Sequence, residues 1–103
     1  MKKITAVNIC GIPYTVKYAE DSFDADTHFG QINYGRAEII VNSGLNEALT
    51  HETICHELVH GILIHLGYSN LSNDEQLVQA LGNAIHQSCD VRNIGCDATA
   101  VEG

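Results

Sequence analysis

The chain has 103 residues, 45% of them hydrophobic, which is enough for one small domain and too little for two. Five basic residues stand against 13 acidic ones, a net charge of −8 that argues against a nucleic-acid partner and against docking on an anionic membrane. No run approaches the roughly 20 apolar residues of a membrane span, and no apolar signal region follows Met1-Lys2-Lys3, so a cytoplasmic chain is expected.

Strand signals fill the first 42 residues. Ile4 to Ile9 alternates loosely, Cys10-Gly11-Ile12-Pro13 reads as a turn, and Tyr14 to Tyr18 is rich in β-formers, which together predict a hairpin. Glu20 to Thr27 is acidic and small, and reads as a loop. A strand is expected over His28 to Tyr34, a turn at Gly35-Arg36, and the strongest strand over Ala37 to Asn42, around Ile39-Ile40-Val41. These elements predict an α+β fold: a small, mostly antiparallel sheet of three or four strands, packed on helices that follow.

From about Asn46 to Leu66 the period becomes helical. At roughly 100° per residue, Ile54, Cys55, Leu58, Val59, Ile62, Leu63 and Leu66 share a broad apolar half, while His56, Glu57 and His60 fall on a narrow polar stripe. Gly67 is placed to end this helix. A short turn leads to a second helix, Ser72 to about Cys89, with Leu77, Val78, Leu81, Ala84 and Ile85 on one face. Residues 93–103 are small, polar and aperiodic, and read as a tail beyond a domain of residues 1–92. None of the four cysteines, Cys10, Cys55, Cys89 and Cys96, forms a Cys-x-x-Cys pair, so reduced thiols are expected.

His56-Glu57-Leu58-Val59-His60 is an H-E-x-x-H sequence. Residues at i and i+4 lie one turn apart on one side of a helix, so the two imidazoles can point at one Zn2+ ion. Glu57 projects about 60° from His60 and about 100° from His56, too far round to join them and well placed to act as a general base on a water. Zinc needs a third protein ligand. His51 and His65 face away, and Cys55 points into the apolar half. His86 lies too far along the second helix to share a metal with that helix's first turn. Asp74 and Glu75 open the second helix, and an antiparallel return brings them beside the histidines. Glu75 sits next to the inward face set by Val78 and Gly82, whereas Asp74 is turned away. Ser72-x-x-Glu75 is also a capping box, in which Glu75 would only close the helix end.

The run from Thr53 to Leu63, the short loop and Asn73-Asp74-Glu75-Gln76-Leu77-Val78-Gln79-Ala80-Leu81 resemble the small zinc metallopeptidase-like proteins of bacteriophages and prophages. Those are similar in pattern to the ImmA/IrrE family and, more distantly, to thermolysin-type gluzincins. Gly11-Ile12-Pro13-Tyr14-x-Val16 and the strand ending in Val41-Asn42 extend the resemblance over residues 9 to 90. The resemblance implies a minimal zincin-like domain, His56, His60 and Glu75 as zinc ligands, Glu57 as catalytic base, and a peptide or protein substrate. An exposed edge strand is expected to pair with that substrate's backbone. Gln79 stands where larger relatives carry an acidic residue. Tyr34, Tyr68, His28 and Arg36 are candidates for stabilising the oxyanion. The alternative is a non-catalytic binding protein stapled by its metal.

Overall fold

The computed structural model describes residues 3–20 and 29–88. The expected tail 93–103, the loop before Thr27, His28, Cys89 and Cys96 lie outside them. The fold is α+β, with a four-stranded mixed sheet and three helices: β1 (Ala6–Ile9), β2 (Ile12–Ala19), β3 (Gly30–Asn33), β4 (Glu38–Asn42), α1 (Glu47–His65), α2 (Ser69–Ser72) and α3 (Glu75–Ser88). Among the described residues, no helix is long and apolar enough to cross a membrane.

The hairpin closes on a two-residue loop. Cys10 and Gly11 both have positive φ, at 52° and 84°, as a type I′ connection requires. The second strand therefore begins at Ile12, two residues before the sequence pattern places it. Sheet order is β1-β2-β4-β3. The two outer pairings are antiparallel, as expected, and the central β2–β4 pairing is parallel, with Val16 opposite Ile39 and Tyr18 opposite Val41. The sheet is thus mixed, and β3 forms one of its edges.

Alternation puts Val7, Ile9, Tyr14, Val16, Ile39 and Val41 on one buried face, while Asn8, Thr15, Lys17 and Gln31 stand exposed on the other. Helix α1 lies across the buried face and contributes Ile54, Cys55 and Leu58 to the same core. Asn46 caps its start, accepting from the Leu49 N–H at 2.8 Å. Its end is a Schellman turn: Tyr68 N–H donates to Leu63 O and Gly67 N–H to Ile64 O, with Gly67 at φ 89°. The expected glycine stop is therefore present.

Helix α3 packs on the side of α1 away from the sheet. Gly82 makes this approach possible, because a Cβ there would lie 3.2 Å from the His56 Cα. Residues 75, 79 and 82 share one face of α3 at helical spacing, so the close crossing at Gly82 swings Glu75 and Gln79 over the polar stripe of α1.

Candidate metal centre

The structure brings His56, His60 and Glu75 together. The His56 Nε2 lies 3.1 Å from one Glu75 carboxylate oxygen, and the His60 Nε2 lies 3.3 Å from the other. The ligating atoms of all three fall within 4.8 Å of one another. Helix α1 supplies both imidazoles from adjacent turns, with ring centroids 5.0 Å apart, and α3 supplies the carboxylate from its first residue.

The two outer nitrogens are also engaged. Gln79 donates its amide N–H to Asn83 Oδ1 at 3.0 Å, which leaves its carbonyl oxygen facing His56 Nδ1 at 2.8 Å. An amide oxygen only accepts, so His56 Nδ1 carries the hydrogen. Ser72 Oγ, in a residue only 2% exposed, lies 3.0 Å from His60 Nδ1 and donates to the His60 backbone oxygen at 3.5 Å. In a neutral His56 ring the lone pair is then on Nε2, facing a carboxylate oxygen. A metal ion lying between these two atoms would relieve their repulsion, and the His60 Nε2 is placed to share it. Two imidazole nitrogens and a carboxylate form a donor set that suits zinc.

Ser72 therefore serves the site and does not cap α3. Asp74 caps α3, accepting from Leu77 N–H at 3.1 Å, and this replaces the capping box of Ser72 and Glu75. The reason is the short helix α2, which ends at Ser72 and starts the next helix later than the pattern predicts. Glu75 is left free to reach the histidines. His65 instead meets the Tyr14 hydroxyl at 2.5 Å, on the side of α1 that faces the sheet. Neither it nor His51 or His86 lines the cleft around the three donors.

That cleft encloses about 590 Å³ between α1, α2, α3 and the start of β3. Glu57 lines it yet is only 7% exposed. Burial, together with the Glu75 charge and against the pull of His56, pushes its carboxyl up to about 7. A carboxyl in that range can take and return a proton near neutral pH. Of the four residues weighed as oxyanion partners, Tyr34 lines the cleft and hydrogen-bonds Ser72. Burial and the charges of Glu57 and Glu75 raise its phenol. Tyr68 and Arg36 do not line the cleft, and His28 is not described.

Sequence reasoning missed the orienting roles of Ser72 and Gln79. Helical spacing signals both, since 75 and 79 share a face and 72 stands just before it, and Gln79 also stands where larger relatives carry an acidic residue. Comparison of the chain with protein-family models, with curated proteins and with solved structures gives no significant match.

Proposed function

We propose that this protein is a minimal zinc-dependent peptidase that acts in the cytoplasm, of the kind the phage-encoded metallopeptidase-like proteins represent. The observation that supports it best is the pairing of a preoriented His56–His60–Glu75 donor set with a buried carboxyl, Glu57, in the same cleft. Zinc held by these three residues would supply a Lewis acid for the scissile carbonyl and a water whose pKa is lowered to about 7. Glu57 accepts the proton of the attacking water and returns it to the leaving amine nitrogen. Gln79 and Ser72 keep the two rings turned so that both Nε2 atoms face inward. The substrate backbone lies along β3, whose outer edge has no strand beyond it among the described residues and whose Gly30, Gln31 and Ile32 border the cleft. Such pairing holds a peptide without reading its sequence.

The test is hydrolysis of unfolded casein by chelator-stripped, zinc-reloaded protein, with Glu57→Gln beside the wild type. Both should bind one zinc, and the variant should lose roughly 10²–10⁴ in rate. One observation favours a second reading, a binding protein stapled by its metal: the donors come from two helices, so an ion between them would tie α1 to α3. That reading expects the variant and the wild type to act alike on their partner.

A further inference from the structure

Glu52 stands one turn before His56 on α1. Residues 52, 56 and 60 form a single ridge at i, i+4 and i+8, about 6 Å per step along the axis. The ridge runs from the metal donors toward the end of the cleft formed by Phe29 and Gly30, and Glu52 lines the cleft there, half-buried. Its neighbour Thr53 is pinned against β3, since a Cβ on Gly30 would fall 2.6 Å from the Thr53 methyl group. The ridge is therefore held at a fixed height over the strand edge that the peptide is proposed to follow.

No cation of the described residues answers this carboxylate. Lys17 pairs with Glu38 at 2.7 Å, the Lys3 ammonium lies over the Tyr18 ring, and Arg36 is in the turn after β3, outside the cleft. Among the described residues, the cleft lining holds Glu52, Glu57 and Glu75 and no lysine or arginine. Glu75 faces the histidines and Glu57 is buried beside them, so each has a task at the metal. Glu52 has none. Phe29 lines the same cleft and offers an exposed aromatic face, which suits the methylene stem of a long cationic side chain.

We infer that Glu52 is a specificity-determining residue that selects peptides carrying a positively charged nitrogen one helical turn from the scissile bond. The nitrogen belongs either to a lysine or arginine side chain or to a free peptide N-terminus; the chemistry is shared. This rests on the peptidase reading for its orientation, and the measurement is chosen to stand apart from turnover. Fluorescein-labelled hexapeptides that differ only in one Lys, Gln or Glu, each with a free or an acetylated N-terminus, are titrated into zinc-loaded Glu57→Gln protein. The Lys peptide, or the free-amine series, should bind roughly tenfold more tightly than its neutral counterpart, a preference of about 1.4 kcal/mol. Glu52→Gln should bring that ratio close to one, and Glu52→Lys should invert it in favour of the Glu peptide. Loss of the preference on acetylation identifies the N-terminal ammonium, and its persistence identifies the side chain. A preference that survives Glu52→Gln, equal affinities for all peptides, or no binding by any of them overturns the assignment. A Glu52-dependent preference in a protein whose wild type cleaves nothing would keep the cation subsite and remove the peptidase reading.

Discussion

Replacing Gln79 by Leu removes the acceptor of the His56 Nδ1–H bond at 2.8 Å while keeping the side-chain volume close. The imidazole then loses the group that fixes its tautomer and its rotation. Outer partners of this kind are typically worth 10- to 100-fold in metal affinity. The His56 side chain is 21% exposed, so water can replace part of the lost bond, and the expected loss is near the lower end, about tenfold or 1.4 kcal/mol. Ser72 differs. It is 2% exposed and faces a more buried ring, so Ser72→Ala leaves His60 Nδ1 without water to replace its partner, and the loss should be nearer 100-fold, at the upper end of the same range. Gln79→Glu runs the other way. A carboxylate accepts more strongly from Nδ1–H and makes Nε2 a better donor, and Asn83 can turn its amide to present N–H to it. Zinc affinity is measured by competition with a chromophoric chelator at fixed pH. Gln79→Glu should bind most tightly, followed by the wild type, then Gln79→Leu, with Ser72→Ala the weakest. Unchanged affinity in Gln79→Leu, or a Gln79→Glu protein weaker than it, would refute the orienting role.

Glu75→Ala should abolish tight zinc binding, whereas Asp74→Ala should leave it and cost about 0.5–2 kcal/mol of stability through the lost cap, as read by urea unfolding with and without zinc. Metal-free protein should show a pH signature of Glu57. Folding raises its carboxyl from 4.5 to about 7, so the folded state holds that proton more tightly; the associated stability, roughly 3 kcal/mol, is fully present below about pH 4.5 and is lost as pH rises through about 7. Stability curves of metal-free wild type and Glu57→Gln should therefore diverge across that window, and parallel curves would contradict the burial argument. Gly61→Ala would place a Cβ 2.8 Å from Ile9 and 3.1 Å from Ile32. Overpacking of about 1–3 kcal/mol against the fully buried Ile9 should outweigh the helix-propensity gain of about 1 kcal/mol, so calorimetry should show a lower melting temperature.

The parts of this molecule that are legible in its sequence are those set by local chemistry. Asn46 and Gly67 mark the ends of α1 because a cap and a left-handed stop act within one turn. The 100° period places His56 and His60 on one stripe, and Val78 and Gly82 point Glu75 inward. What depends on contacts distant in sequence was not legible. The parallel pairing of β2 with β4 joins segments about twenty residues apart, and neither strand carries a mark of its partner. Helix α2 is four residues long and has no amphipathic signature, yet it delivers Ser72 to His60 and moves the cap of α3 to Asp74. Gln79 reads as a departure from an acidic residue; its task follows only from the close crossing at Gly82 and from the bond to Asn83.

The central claim is that one metal ion sits among His56, His60 and Glu75. Crystals of zinc-loaded protein, measured above and below the zinc absorption edge, test it most directly. The account predicts one anomalous peak per chain, about 2.0–2.2 Å from both Nε2 atoms and from a Glu75 oxygen. A zinc-loaded crystal with no peak there, or with its peak on other residues, would contradict it.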